Sequence, residues 1–204
     1  SFKSKMNTIS DGILAGVQQA ISIAEQKFQG LVIWQTKEPF SAGADLSGAL
    51  ASLQDGRIDD FKAMVAEFQA TSMRIKYAQI PIVAAVRGLA LGGGCEFQMH
   101  SARTIFSLES YIGLVEAGVG LLPAGGGLKE IATRVGLQGG DVFAGLKPYF
   151  ETIAMGKVSA SAVDAKEMKL ARESDIIVFN SFELLHVAKA QARAMAESAY
   201  RPPM

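Results

Sequence analysis

Residues 81–97 read PIVAAVRGLALGGGCEF, a buried strand pattern followed by three consecutive glycines. The unbroken apolar run IVAAV at 82–86 predicts a parallel strand that is covered on both faces. The glycines follow almost directly, and the letters CEF belong to a short helix predicted over 93–101. This order places the N-terminus of a helix, with its unpaired backbone N–H groups, at the end of a buried strand.

Strand and helix patterns alternate on both sides of this stretch, which is typical of an α/β fold. Ser10 and Asp11 offer an N-cap for a first helix, which Gly30 ends. The other elements predicted up to residue 127 are a strand at 31–35, a loop of small residues at 40–50, a helix at 58–77, a strand at 104–107 and a glycine-rich connection at 114–127. Helices are predicted beyond it at 128–135, 146–155, 159–169 and 181–198, with one strand candidate, DIIVF, at 175–179.

Length and composition predict a single globular domain. The chain has 204 residues, of which 49% are hydrophobic, enough for one sizeable core. We expect an α/β core over 1–145 and a mostly helical C-terminal part over 146–204. The first residues, SFKSK, and the last, RPPM, indicate a piece of a longer polypeptide.

Charge and cysteine usage exclude several classes of protein. Twenty basic and twenty acidic residues cancel, which argues against nucleic-acid and membrane-surface partners. No apolar run approaches the roughly 20 residues of a membrane span. A single cysteine excludes an internal disulfide framework, and His100 and His186 lie too far apart to suggest a metal site. We therefore expect a cytoplasmic protein without a metal.

The glycines at 92–94 predict a place where a ligand can approach bare backbone at a helix start. Such an N–H group can stabilise a ligand oxygen as part of an oxyanion hole, with Glu96 in the first helical turn beside it. A phosphate cradle is the competing interpretation. It is disfavoured because no P-loop lysine follows and Glu96 would repel phosphate.

Two further segments supply additional groups for the same site. FSAGADL at 40–46 is rich in small residues, and Ala44 there can offer a second N–H group. The segment LVEAGVGLLPAGGG at 114–127 places Glu116 in an apolar, glycine-rich loop, where a carboxylate is costly to bury without a function or a partner.

The order and spacing of these three segments resemble the crotonase superfamily, and more narrowly the enoyl-CoA hydratases. The resemblance spans about residues 5–170, and the 20-residue offset between Glu96 and Glu116 fits that subgroup. The whole chain is most similar to the hydratase-like C-terminal module of a fused bacterial 3-hydroxyacyl-CoA dehydrogenase. The fold implied is a crotonase-like α/β spiral of stacked β-sheets wrapped by helices, and the family implies a possible trimer or dimer of trimers.

The resemblance implies a role for each matched residue. The N–H groups of Ala44 and Gly93 would hold the thioester oxygen of an acyl-CoA, Glu116 would deliver a proton to the α-carbon, and Glu96 would activate the attacking water. The N–H group of Ala124 would help to hold that water. Positions near the pantetheine and adenine would be Met6, Ala42, Asp45 and Leu46, and Gly92 would also bind the substrate.

The implied reaction is hydration of a trans-2-enoyl-CoA to a 3-hydroxyacyl-CoA in fatty-acid β-oxidation. No metal or redox cofactor is expected, because the oxyanion hole polarises the substrate, and NAD chemistry would belong to the dehydrogenase part of the parent chain. Two alternatives remain open: an enoyl-CoA isomerase on the same scaffold, and a non-catalytic module that binds acyl-CoA or oligomerises.

The chain departs from the family pattern in two places. Most of the N-terminal β-hairpin is missing, so an edge of the sheet is expected to be open. Ala102 stands where the family has a structural aspartate six residues after the first glutamate, which puts packing in question. His100 is expected to cap or pack, and Cys95, Trp34 and the Phe61/Phe68 stripe are expected in the core.

Overall fold

The computed structural model describes the backbone of residues 1–204 and the side chains of all residues except 49–51. The helices are α1 (Asp11–Lys27), α2 (Leu46–Gln54), α3 (Ile58–Lys76), α4 (Gly93–His100), α5 (Gly127–Gln138), α6 (Val142–Ala154), α7 (Ala162–Glu167) and α8 (Leu184–Glu197). The strands are β1 (Leu31–Trp34), β2 (Ile82–Leu91), β3 (Arg103–Gly113) and β4 (Ile176–Val178). Short 3-10 turns lie at Lys5–Asn7, Glu116–Val119 and Ser181–Glu183.

The four strands form one parallel sheet in the order β1-β2-β3-β4. Two isolated parallel bridges hold the segment before α2: Ser41 pairs with Ala90 near the end of β2, and Ala44 pairs with Ile9 just before α1. β1 pairs with β2 and lies at one edge of the sheet. The strand predicted in DIIVF is confirmed as β4, which joins the same sheet.

Helices cover both faces of the sheet, and the alternation along β2 shows which residues face each layer. Ile82, Ala84 and Val86 lie in the larger core cluster, beneath α1, α3 and α4. Val83 and Ala85 point the other way, into a smaller cluster with α8. The interpretation of IVAAV as a strand buried on both faces is therefore confirmed.

Both central strands are longer than predicted. β2 continues past residue 86 to Leu91, and β3 covers 103–113 instead of 104–107. The pairing register shifts between Val86 and Gly88 and then resumes, with Leu89 opposite Tyr111. Gly88 accompanies this irregularity inside a continuing ladder.

The loop predicted at 40–50 is wrong in its second half, because α2 begins at Leu46. The Asp45 carboxylate accepts hydrogen bonds from the Ser47 N–H (3.1 Å) and hydroxyl (2.6 Å), as is typical of a helix start. α6 likewise begins before residue 146, because Asp141 accepts the Phe143 N–H at 2.9 Å. α1 begins beside Ser10 as predicted, although the Ser10 side chain makes no capping hydrogen bond.

Ala102 is held at the α4–β3 junction by backbone pairing. Its N–H donates to the Ile82 carbonyl at 2.8 Å. A buried carboxylate close by comes from Asp175, which accepts the N–H groups of Thr104 (2.9 Å) and Arg172 (2.7 Å). None of the described helices has the length and apolar character needed to cross a membrane.

Candidate active site

The first glycine triplet, Gly92–Gly94, joins β2 to α4 with almost no space for side chains. A Cβ at Gly93 would lie 2.4 Å from Phe68 Cζ, and a Cβ at Gly94 would lie 2.7 Å from Ser41 Cβ. Gly92 has a φ of +50°, which favours glycine, and a Cβ there would lie 3.4 Å from Glu116 Oε1. The three glycines thus let α4 start against the segment at 41–44.

The backbones at Ala44 and Gly93 converge as the sequence predicts. A Cβ at Gly43 would lie 3.7 Å from the Gly93 nitrogen, and one at Gly93 would lie 3.4 Å from the Ala44 nitrogen. The Gly43 carbonyl and the Asp45 N–H are paired with Ile9, at 2.8 and 2.9 Å. Within the described part of the chain, neither the Ala44 N–H nor the Gly93 N–H has a partner. Two neighbouring N–H groups are therefore available to one acceptor.

Glu96 lies one helical turn into α4 and is only 2% exposed. Its Oε1 accepts the Gly127 N–H at 2.9 Å. Burial, together with the charge of Glu116, raises the pKa of Glu96 to about 8, against a smaller opposing effect of the Gly125–Gly127 N–H groups.

Glu116 begins the 3-10 turn after β3 and faces the first glycine triplet. Its Oε2 is buried and has no hydrogen-bond partner in the described structure. Burial raises the pKa of Glu116 to about 7, against the opposing effect of nearby backbone N–H groups. An unpartnered buried carboxyl oxygen is available for a substrate or a water.

The second glycine triplet, Gly125–Gly127, closes over Glu96 from the other side. A Cβ at Gly125 would lie 2.2 Å from Glu96 Oε2 and 2.5 Å from Phe68 Cδ1. A Cβ at Gly126 would lie 2.7 Å from His100 Cε1, and one at Gly127 would lie 3.2 Å from Glu96 Oε1. Here glycine makes room for the protein's own side chains.

Glu96, Glu116, Ala44 and Gly93 all line one cavity of about 640 Å³. Its apolar wall comes from α3 and from the loop after the 3-10 turn, and includes Phe61, Met64, Val65, Phe68, Val119, Leu121 and Leu122. Lys62, at the same wall, is exposed. The site therefore combines two carboxyl groups and two free N–H groups with a mainly apolar chamber.

The predicted substrate positions divide into two groups. Ala42, Leu46, Gly92 and Ala124 line the cavity. Met6 and Asp45 do not: Met6 accepts the Ala42 N–H at its carbonyl (3.2 Å), and Asp45 caps α2. The Ala124 carbonyl accepts the Gln69 side-chain amide at 2.8 Å, which ties this loop to α3.

A buried polar cluster behind Glu96 was not anticipated from the sequence. It consists of His100, Glu130, Lys76 and Lys129, and we call it the His100 cluster. Glu130 Oε1 lies 2.6 Å from both lysine Nζ atoms and 3.6 Å from His100 Nε2. The His100 side chain is 0% exposed. In the sequence, Glu130 in the first turn of α5 is the residue that could have indicated this cluster. Its partner Lys76 is 54 residues away, so spacing does not predict the contact.

The expectation of a core position is confirmed for Cys95 and Phe68 but is wrong for Phe61, which is partly buried and lines the cavity, and Trp34 packs partly buried against the smaller core cluster. Cys95 is fully buried, and burial raises the pKa of its thiol well above the ordinary range. Phe68 belongs to the core, although it also walls the cavity. Across the described residues, no group of three or more His, Cys, Asp or Glu side chains is arranged to hold a metal ion.

Comparison with known proteins identifies the family of the chain. The model of the family described as "Enoyl-CoA hydratase/isomerase" matches residues 2–142. The chain belongs to the enoyl-CoA hydratase/isomerase family. The crystal structure of an enoyl-CoA hydratase from Polaromonas sp. JS666 matches with a TM-score of 0.75 at 20% identity, over 94% of this chain and 69% of that chain. The crotonase-like α/β fold is thus confirmed.

Curated relatives of this hydratase/isomerase family member are longer proteins. The "Probable 3-hydroxyacyl-CoA dehydrogenase" of Bacillus subtilis (strain 168) is 40% identical over 203 residues, covering 100% of this chain and 26% of that protein. The "Fatty acid oxidation complex subunit alpha" of Psychrobacter cryohalolentis is 31% identical over 166 residues, covering 81% of this chain and 21% of that protein. The chain spans about a quarter of the length of these relatives, and its resemblance to a module of a fused dehydrogenase is confirmed.

Proposed function

We propose that the chain hydrates trans-2-enoyl-CoA thioesters to 3-hydroxyacyl-CoA in fatty-acid β-oxidation. The observation that carries the proposal is the meeting of two buried carboxyl groups, Glu96 and Glu116, with the free N–H groups of Ala44 and Gly93 in one cavity. The names of the relatives, a dehydrogenase and a fatty acid oxidation complex subunit, support the metabolic setting.

The two N–H groups supply the polarising step. Attack of water at the β-carbon places enolate charge on the thioester oxygen, and the Ala44 and Gly93 N–H groups can both donate to that oxygen. The Gly93 N–H also lies at the N-terminus of α4, whose partial positive charge favours an anion. Loss of one such donor typically costs about 3–4 kcal/mol of barrier.

The two carboxyl groups supply the acid and the base. Because their pKa values are raised to about 8 and about 7, the pair loses its protons in two steps near neutral pH. One glutamic acid and one glutamate then coexist, which is what addition of water requires. The proton is shared within the coupled pair, and in the roles carried over from the family Glu116 protonates the α-carbon while Glu96 activates the water.

The chamber fits an acyl chain. Its wall of phenylalanine, methionine, valine and leucine side chains can take an apolar tail from water. No residue of the proposed reaction requires a metal or a redox cofactor. We further propose that the chain works together with a dehydrogenase part that oxidises the 3-hydroxyacyl-CoA product.

The test is to measure turnover of 2-enoyl-CoA and 3-enoyl-CoA substrates by the purified protein, followed by absorbance. Loss of the absorbance of the conjugated enoyl thioester indicates hydration, whereas its growth from a 3-enoyl substrate indicates isomerisation. Glu96→Gln and Glu116→Gln should each lower kcat by about 10²–10⁴-fold, the usual range for an acid or base, while acyl-CoA binding is retained.

Three results would contradict the proposal. Unchanged turnover in both variants would remove the glutamates from the mechanism. Isomerisation without hydration would assign the alternative reaction to the same site. Tight acyl-CoA binding by the wild type with no turnover of either substrate would identify a binding module.

A further inference from the structure

We propose that His100 is a positioning residue: its imidazole supports the second glycine triplet and thereby holds the Glu96 carboxyl in the buried position that the reaction uses. The inference rests on the proposed function, in which Glu96 handles the attacking water. It gives a role to a fully buried histidine that the mechanism itself does not use.

The first step concerns the protonation of the ring. His100 Nδ1 lies 2.7 Å from the backbone carbonyl oxygen of Glu96, one turn earlier on α4. A carbonyl oxygen accepts and does not donate, so Nδ1 carries the proton in this contact. In the neutral ring Nε2 is then a bare lone pair, and it has no hydrogen-bond partner within the described structure.

The groups around the ring keep it neutral. Burial lowers the pKa of His100 to about 4, opposed by the Glu96 carbonyl and the charge of Glu130 and assisted by Lys129 and Lys76. Glu130 itself stays ionised: burial raises its pKa, but hydrogen bonds from Lys129 and Lys76 outweigh this effect and lower it to about 2. The surrounding charges are thus one carboxylate and two ammonium groups, and they bring no net attraction for a second proton on the ring.

The second step concerns the packing of the ring against the loop. Gly126 lies so close that a Cβ there would stand 2.7 Å from His100 Cε1 and 2.8 Å from Nε2. The Gly126 carbonyl accepts the Glu130 N–H at 3.0 Å, which holds the other side of this residue to α5. The imidazole on one side and α5 on the other therefore hold the Gly126 backbone in place.

The third step links the loop to the reacting carboxyl. The Gly127 N–H donates to Glu96 Oε1 at 2.9 Å, and the Gly125 backbone lies close to Oε2, since a Cβ on Gly125 would stand 2.2 Å from it. A displacement of the loop therefore loosens a hydrogen bond to Glu96 and admits water to its carboxyl group. His100 contacts both ends of this arrangement, the Glu96 backbone and Gly126, and so acts on Glu96 without touching the substrate.

The test compares three variants of the purified chain. His100→Leu removes the Nδ1 donor and the ring, whereas His100→Asn keeps a donor at the position of Nδ1. His186→Leu is the matched control, because the second histidine of the chain is exposed on α8. The readouts are kcat and KM with a 2-enoyl-CoA, the thermal midpoint, and the pKa of Glu96 from carboxyl NMR, assigned by its loss in Glu96→Gln.

The expected result is a selective loss in His100→Leu. Its kcat should fall by about 100-fold, the cost of a reacting group misplaced by about 1 Å, with KM changed by little. Its Glu96 pKa should fall by about one unit or more as water reaches the carboxyl. His100→Asn keeps the donor but lacks the ring atoms beside Gly126, so it should stay as impaired as His100→Leu, and His186→Leu should match the wild type in every readout.

Each contrary outcome has a separate meaning. An unchanged Glu96 pKa in folded His100→Leu overturns the inference, even if the thermal midpoint drops, because a purely structural histidine would lower stability alone. Full recovery of both readouts in His100→Asn also overturns it, because the hydrogen bond to the Glu96 carbonyl would then suffice without the ring against Gly126. If the wild type hydrates no enoyl-CoA, the proposed function fails, while the NMR comparison still decides whether His100 positions Glu96.

Discussion

The two glycine triplets face the same cavity but serve opposite purposes. At Gly92–Gly94 the missing side chains bring the start of α4 against the segment at 41–44 and leave the Gly93 N–H open to a ligand. At Gly125–Gly127 the space is already filled by Glu96, His100 and Phe68. Identical sequence letters therefore open a site on one side and seal a carboxyl group on the other.

Gly125→Ala should have the largest effect of the glycine substitutions. Its Cβ would occupy space 2.2 Å from Glu96 Oε2 and 2.5 Å from Phe68, so the carboxyl has to move. We expect kcat to fall by about 10²–10⁴-fold, as for loss of an acid or base. Steady-state kinetics with a parallel acyl-CoA binding measurement check this. A kcat within about threefold of wild type would show that this triplet does not seal Glu96.

Stability should depend on pH through the carboxyl that the second triplet encloses. The pKa of Glu96 is raised from 4.5 to about 8 in the folded protein, so the folded state favours the protonated form. The contribution of protonated Glu96 to folding stability is intact below pH 4.5. It is lost as pH rises from 4.5 toward 8, because the carboxyl ionises in the unfolded chain while it is still protonated in the folded one. Glu96→Gln should therefore melt at a higher temperature than wild type at pH 9, and the difference should vanish at pH 4.

The pH prediction is checked by thermal unfolding across this range. One pKa unit corresponds to about 1.4 kcal/mol, so the relief at pH 9 should amount to a few kcal/mol. Glu38→Gln serves as a control, since this carboxylate is largely exposed on a surface ion pair with Arg87. Equal pH dependence in Glu96→Gln and wild type would show that Glu96 is not the buried carboxyl responsible.

Gly94→Ala should separate packing from catalysis inside the first triplet. A Cβ there would lie 2.7 Å from Ser41 Cβ and 2.9 Å from the Ser41 carbonyl oxygen, and backbone yields little. Overpacking of this kind costs about 1–3 kcal/mol of stability. Chemical denaturation should show that loss, with kcat of the folded protein reduced less than in Gly125→Ala. A larger kcat loss than in Gly125→Ala would reverse the order of the two triplets.

Gly136→Ala should have the smallest effect, and in the opposite direction. It lies inside α5, nine residues after Gly127, and a Cβ there meets nothing within 4 Å. Replacing such a helical glycine by alanine stabilises by about 0.4–1 kcal/mol, with kcat unchanged. A small rise in the thermal midpoint checks this, and any fall would mean that glycine substitutions in this part of the chain are disruptive in general.

Local patterns sufficed for much of the fold and for the members of the site. The run at 82–86 carries the alternation that puts α8 on one face and α1, α3 and α4 on the other. The start of α2 was missed because small residues suggest a loop, whereas the Asp45 cap is visible only in its contacts with Ser47. The true ends of β2 and β3 depend on pairing across a register shift, which no single strand displays.

The chemistry around the site was harder to predict than its members. Ala44, Gly93, Glu96 and Glu116 were expected together, and one cavity contains them all. The His100 cluster depends on contacts between α3, α4 and α5 that span 54 residues of sequence, and no spacing rule reveals it. Phe68 shows the same difficulty, since its helical spacing marks a core residue but not the wall that touches both triplets.

The burial of Cys95 between Gly94 and Glu96 has a practical consequence. Cys95 carries the single thiol of the chain, which is fully buried and has a raised pKa. It should not react with thiol reagents while α4 remains packed in the fold. Its labelling rate then counts the opening events of the helix that carries Glu96. The rate of Cys95 labelling therefore measures how often the Glu96 carboxyl leaves its buried surroundings.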